Sequence, residues 1–283
     1  MPTRTINGLN LHYEIHGQGD PFLLAHGYCA SIQMWNHQVA WLSERYQVIV
    51  YDARGHGLSS APPNSTDYSL EQLVDDMKQL LDELGVDNAY IAGHSMGGAT
   101  VAGFASRYPQ RVRATLICNI DGGHQPPAAE SEQQARAAEQ EKNHALVKAR
   151  GLSDYARYQI ETGAAPEFVL RSEIEQQAYI ERYARQPLNG YFAVGQASPW
   201  TDAWLTEAAA SLAGPVAIIA GTQDVMHQGA LLLHGRLSQS RFISIQDAPH
   251  DSCNARPHAF NQGMKDYLEV LENGGDPAGQ FSY

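Results

Sequence analysis

The sequence predicts an α/β fold, a mostly parallel sheet flanked by helices with a helical segment inserted late in the chain. Three observations predict it. Short apolar runs end at turn residues, in "PFLLAHG", "QVIVYDARGHG", "NAYIAGHS", "VRATLICNID", "PVAIIAGTQD" and "SRFISIQD". Helical runs separate most of them, and strands joined by helical crossovers form a parallel sheet covered on both faces. Residues 122–210 then interrupt the pattern with no buried-strand run at all.

Taken in order, "LNLHYEIHG" alternates with period two, as a half-buried strand does. "YSLEQLVDDMKQLLDELG" places Leu70, Leu73, Val74, Met77, Leu80, Leu81 and Leu84 at helical spacing. Ser69 and Gln72 form a capping box at its start, and Gly85 stops it. Its acids, in "VDDMKQLLDELGVD", read as a solvated face. "GGATVAGFASRYP" is a second helix. The insert opens on the Gly/Pro/Gln loop "GGHQPPAAESEQQ" and then carries Ala, Gln, Glu and Arg with Phe168, Tyr179, Tyr183, Tyr191, Phe192, Trp200 and Trp204. After "PVAIIAGTQD" a helix is expected around 226–237, and "RPHAFNQGMKDYLEVLE" is the last helix. The division is a core of residues 1–121 and 211–273, an insert of 122–210, and a tail of 274–283 expected to fray.

The bulk properties exclude several functions. The 283 residues are 43% hydrophobic, enough for a large core. With 19 Lys+Arg against 31 Asp+Glu the net charge is −12, which argues against a nucleic-acid partner. Cys29, Cys118 and Cys253 include no CxxC pair and make a poor disulfide framework, so a reducing, cytoplasmic compartment is expected. No segment approaches the roughly 20 apolar residues of a membrane span.

The chemistry concentrates in "AGHSMGG". Gly93-His94-Ser95-Met96-Gly97 satisfies G-x-S-x-G between a buried-strand run and a helix. A nucleophile on so tight a turn has a strained backbone, and flanking glycines remove Cβ atoms that would collide. With "HGYCASIQMW", "YDARGHGLSS" and "AGTQD", in that order, the chain resembles the α/β-hydrolase-fold family over nearly all of its length. The resemblance implies an eight-stranded sheet, a helical cap over the site, and no metal or other cofactor.

It also implies roles. Ser95 is the nucleophile, His250 in "IQDAPHDSCN" the base, and Asp224 the acid that orients it, in the family order Ser, acid, His. Asp121, after "VRATLICNI", is a rival acid. Backbone amides of Tyr28 and Met96 are expected to form the oxyanion hole. His26, His56 and His94 read as structural, and His227 and His234 belong to the helix after Asp224. Asp251 or Ser252 reads as a cap of the last helix. Cys29 is a nucleophile or, more simply, a small buried thiol. His250, Asp251 and Cys253 lie close together, but neither HExxH nor CxxC accompanies them. "GHSMGG" lacks dinucleotide-binding spacing. Pro249 stands where relatives often carry Gly.

The expected activity is cofactor-independent hydrolysis of a carboxylic ester or lactone through an acyl-enzyme. The expected substrate is a small molecule with an apolar part. Relatives that open epoxides or remove halogens use Asp at the elbow, so Ser95 points away from them. Carbon–carbon bond hydrolases, perhydrolases, cofactor-free oxygenases and acyltransferases share the triad, and some relatives serve as slow-turnover receptors or scaffolds. Oligomeric state is left open.

Overall fold

The computed structural model describes residues 2–120, 130–201, 203–237 and 239–283. In chain order the first half contains β1 (Thr3–Ile6), β2 (Leu9–His16), β3 (Asp20–Ala25), α1 (Asn36–Leu42), β4 (Tyr46–Tyr51), α2 (Leu70–Glu83), β5 (Ala89–His94), α3 (Met96–Arg107) and β6 (Val112–Cys118). Helices α4 (Glu130–Arg150), α5 (Leu152–Glu161), α6 (Glu167–Leu170), α7 (Glu173–Ala184), α8 (Leu188–Ala197) and α9 (Ala203–Ala210) follow. The chain then returns through β7 (Val216–Gly221), α10 (His227–Arg236), β8 (Arg241–Ile245), α11 (Ser252–Ala255), α12 (Pro257–Glu272) and β9 (Gly279–Ser282).

All these strands join one sheet in the order β1-β2-β4-β3-β5-β6-β7-β8-β9. Pairing is antiparallel between β1 and β2 and between β2 and β4, and parallel elsewhere. The sheet therefore has nine strands where eight are expected. The additional one, β9, lies in the tail expected to fray. It pairs with β8 from Arg241–Gly279 to Ser244–Ser282, and Tyr283 donates its phenol to Asp266 on α12 at 2.7 Å. Four residues of "GQFS" carry no readable alternation, because this strand is held by its neighbours rather than by its own pattern.

Parallel strands are covered on both faces, which is why β7 reads as an unbroken apolar run and is buried throughout. Alternate residues point to opposite cores. Leu23, Ile49, Ile91, Ile117 and Ile218 pack with α2 and α3 on one side. Phe22, Leu24, Val48, Leu116 and Ile219 pack with Trp35, Phe260 and Tyr267 on the other. Helix α2 carries the expected capping box: Ser69 Oγ accepts from the Gln72 amide at 3.2 Å, and Gln72 Oε1 accepts from the Ser69 amide at 2.8 Å. Gly85 ends the helix at φ +68°.

One acid of α2 departs from the expected solvated face. Asp76 is buried and receives both Arg54 Nε and Nη2, at 2.6 and 2.7 Å. A bidentate partner from the "DARGHG" loop makes that burial tolerable. Helices α4 to α9 follow β6 and precede β7, and they build two small clusters of their own. Val147, Leu152, Tyr155 and Tyr191 form one, against Tyr28 and Cys29. Ala156, Ala165, Val169 and Tyr179 form the other. Helix α8 rests on the loop after β4 so closely that a Cβ at Gly190 would meet the Gly55 carbonyl oxygen at 2.1 Å. Among the described residues no helix is long and apolar enough to cross a membrane.

Candidate active site

Open α/β sheets collect their reactive groups at the carboxyl ends of parallel strands, and here five such ends supply the site. Strand β5 ends at His94, and Ser95 follows at φ 52°, ψ −115° before α3 begins at Met96. A residue with a Cβ holds that conformation only when its surroundings impose it. The glycines around it explain how the turn closes. A Cβ on Gly93 would fall 2.1 Å from the Gly97 oxygen, and one on Gly97 would fall 2.1 Å from the Ala25 oxygen. Ser95 is half-buried, and the amides that open α3 have no acceptor within the helix, as at any helix start.

Strand β7 ends at Gly221, and Asp224 follows. Its Oδ2 accepts from His250 Nδ1 at 3.0 Å and from Asn119 Nδ2 at 2.7 Å, and its Oδ1 accepts from the Met226 amide at 3.0 Å. Burial alone would push this carboxyl upward in pKa. The hydrogen bond and charge of His250, with Asn119 and the Met226 amide, outweigh burial and hold it below the usual carboxylate range. The His250 side chain is 41% exposed while that of Asp224 is fully enclosed. Only glycine fits beneath the histidine loop, since a Cβ on Gly221 would meet the Ala248 and Pro249 oxygens at 2.2 and 2.7 Å.

Asn119 has no forerunner in the sequence reading. It follows β6 at φ +56°, is buried, and accepts Ser252 Oγ at 2.6 Å while donating to Asp224. Ser252, Asn119, Asp224 and His250 thus form one hydrogen-bonded chain. The signal available was an Asn at the end of a buried strand, which resembles any turn residue until its distant partners are known. The rival acid Asp121 lies outside the described residues.

Ser95 meets this group through its neighbour. His94 donates Nε2 to the His250 carbonyl oxygen at 2.8 Å, and the two rings pack edge to face at 4.8 Å. His94 therefore turns into the histidine loop. Among the described residues no direct hydrogen bond joins Ser95 Oγ to His250, and such contacts are often long until substrate binds. Burial, then the nearby charge of His250, lowers the His94 pKa to about 4.

The loop after β3 lies against the elbow. A Cβ on Gly27 would sit 2.8 Å from His94 Nδ1 and 3.4 Å from Ser95 Cβ. His26 organises the turn: its Nδ1 donates to the Gly27 oxygen at 2.7 Å, and its Nε2 accepts from the Ala53 amide at 3.0 Å. His56, pushed down to about 3 by burial and then by His26, is likewise a neutral packing residue. Asp52 binds the Ile32 and Leu58 amides and His12 Nδ1, joining the loops after β3 and β4 to β2. Burial pushes the Cys29 thiol up to about 12, so it stays protonated and a poor nucleophile.

Two expectations for "IQDAPHDSCN" need correction. Asp251 occupies the N-cap position of α11 but its side chain caps nothing. Its carboxylate instead takes Arg182 Nη1 of α7 at 3.0 Å and Asn254 Nδ2 at 2.7 Å. Ser252 is a member of the Asn119 chain and lies inside α11 rather than capping it. Cys253 is buried and donates weakly to Asp251 at 3.6 Å. Asp247 points to solvent, 3.9 Å from Arg256. Among the described residues no group of three His, Cys, Asp or Glu is arranged to hold a metal ion.

With this geometry in view, a family model described as alpha/beta hydrolase fold matches residues 20–254. The chain belongs to the α/β-hydrolase-fold family. It is 28% identical over 268 residues, 93% of this chain and 94% of the other, to 3-oxoadipate enol-lactonase 2 of Acinetobacter baylyi. Over 60% of its length it is 35% identical to bifunctional epoxide hydrolase 2 of Sus scrofa, covering 28% of that protein. Among solved α/β hydrolases, an enol-lactonase of Burkholderia xenovorans superposes with TM-score 0.79 at 25% identity, covering 95% of this chain and all of that one. A thermophilic esterase of Thermogutta terrifontis gives 0.77 at 25% identity, covering 95% and 98%.

Proposed function

We propose that this α/β hydrolase cleaves a carboxylic ester or lactone through a serine acyl-enzyme. The observation that carries the reading is the nucleophile elbow at Ser95 beside a buried Asp224 paired to His250 at 3.0 Å. Ser95 Oγ attacks the carbonyl carbon while His250 Nε2 takes its proton. Asp224 holds Nδ1–H and stabilises the imidazolium. The Tyr28 and Met96 amides receive the oxyanion. Collapse expels the alkoxide, which His250 protonates, and His250 then activates water to release the acid. The reaction needs no group beyond these side chains and water.

Relatives of both enol-lactonase and epoxide hydrolase type match, and Ser95 at the elbow supports the first reading. Serine forms an acyl-enzyme from a carbonyl, whereas the epoxide-opening branch resembled here carries Asp at the elbow. Helices α4 to α9 act as the cap, and Tyr28, Tyr191, Phe192 and Trp200 supply an apolar wall that suits a small substrate with an apolar part. Free thiols at Cys29, Cys118 and Cys253 fit a cytoplasmic setting.

The test is labelling with a fluorophosphonate probe, together with hydrolysis of short p-nitrophenyl esters, lactones and diketones, for the wild type and Ser95→Ala. Labelling and turnover that both vanish in Ser95→Ala support the proposal. An unlabelled protein whose residual hydrolysis ignores Ser95 refutes it.

A further inference from the structure

The loop that carries the proposed oxyanion amide is gripped from the helical segment at two points. Tyr28 donates its phenol to the Tyr191 carbonyl on α8 at 2.6 Å. Two residues on, the Ala30 carbonyl accepts Gln186 Nε2, from the turn between α7 and α8, at 3.0 Å. Between these ties lies Cys29, at φ +55°. That left-handed conformation is one a residue with a Cβ adopts when its neighbours over-determine it.

The rest of the packing agrees. The Tyr28 ring stacks on Tyr191 with centroids 5.8 Å apart and lies 5.2 Å from Trp200. Helix α8 has glycine where the phenol arrives, since a Cβ on Gly195 would sit 2.7 Å from Tyr28 Oη. Burial, with Cys29 and Tyr191 beside it, raises the Tyr28 phenol pKa, so the group remains a donor. Gln186 is itself buried and also takes the Gly57 amide at 3.4 Å, which ties it to the loop after β4.

We propose that Tyr28 and Gln186 are positioning residues through which helices α7 and α8 hold the Tyr28 amide in its oxyanion-binding orientation. The helical segment then builds part of the catalytic apparatus as well as covering it. The inference rests on the ester or lactone hydrolase reading above. Because an oxyanion donor acts in the transition state and not on the ground-state substrate, loosening it lowers kcat and leaves KM nearly unchanged.

The experiment compares wild type, Tyr28→Phe, Gln186→Met and the double variant. It measures kcat and KM for a short p-nitrophenyl ester, inhibition by an alkyl boronic acid that forms a tetrahedral adduct on Ser95, and thermal midpoint. Each single variant is expected to lower kcat roughly ten- to hundredfold, with KM within about twofold. Boronic acid binding should weaken in parallel with kcat, and the double variant should lose less than the product of the singles. Variants that keep wild-type kcat and boronic acid affinity, whatever their thermal midpoints, overturn the inference. So does a rise in KM with kcat unchanged. Both outcomes leave Ser95-dependent hydrolysis in place, whereas loss of that dependence in wild type refutes the function itself.

Discussion

His94 Nε2 donates to the backbone carbonyl of His250 at 2.8 Å, so the residue preceding the proposed nucleophile secures the loop that carries the proposed base. With Nε2 protonated, neutral His94 leaves Nδ1 as a buried lone pair with no hydrogen-bond partner among the described residues. A second proton would have nowhere to go, and this matches its depressed pKa of about 4.

That depression makes stability depend on pH. An unfolded chain takes up the His94 proton near its ordinary value of 6.5, whereas the folded protein resists until about 4. The stabilisation is complete above 6.5 and is lost progressively as pH falls to 4, on the order of 2–3 kcal/mol. His94→Gln keeps a donor without titrating. Urea unfolding at pH 7.5 and 4.5 should show a smaller difference in this variant than in wild type, and equal differences would count against the assignment.

Asn119→Ala should lower kcat roughly ten- to hundredfold, and it should lower the thermal midpoint as well, because buried Ser252 loses its acceptor. It frees the Asp224 carboxylate to swing and leaves Ser252 without its acceptor, and small displacements of catalytic groups are costly. Steady-state kinetics on an ester that wild type turns over would decide this. An unchanged kcat would show that His250 and the Met226 amide suffice to aim Asp224.

The Arg182–Asp251 pair joins α7 to the residue after His250, with both side chains mostly enclosed. Breaking it from either side strands a charge, at about 3 kcal/mol. Arg182→Met and Asp251→Asn should each reduce stability by that order in chemical denaturation. The double variant should be closer to the single variants than their sum, because neither charge is left alone.

Glycine positions divide sharply. Gly93→Ala and Gly97→Ala each place a Cβ about 2.1 Å from backbone oxygen, and should yield little soluble protein or a greatly lowered thermal midpoint. Gly235→Ala, in α10 with open space around the new methyl, should raise stability by about 0.5–1 kcal/mol. Thermal midpoints of these variants check the contrast.

The buried strands were legible because parallel strands covered on both faces must be continuously apolar, as "VAIIAG" is. The elbow was legible because its glycines answer a local steric demand. What stayed hidden depended on distant partners. Asn119 meets Asp224 and Ser252, which lie more than a hundred residues away. Asp76 looked solvated until Arg54 arrived from another loop. Asp251 looked like a cap until α7 delivered Arg182. In each case a polar side chain carries no local mark of the group that will satisfy it. The aromatics of the insert were visible, but which of them would face Tyr28 was not, since that depends on how α8 docks.

Strand β9 has a consequence beyond stability. It covers β8, whose residues from Arg241 to Ile243 and Ile245 are buried, and Tyr283 extends the ladder by exchanging amide hydrogen bonds with Ser244 and Gln246. Removing residues 279–283 would bare the hydrogen-bonding edge of β8, an apolar template open to any passing extended chain. Such a shortened protein would fail first by self-association, turning cloudy at concentrations where the full chain stays clear. The last five residues therefore act as a guard rail for the sheet.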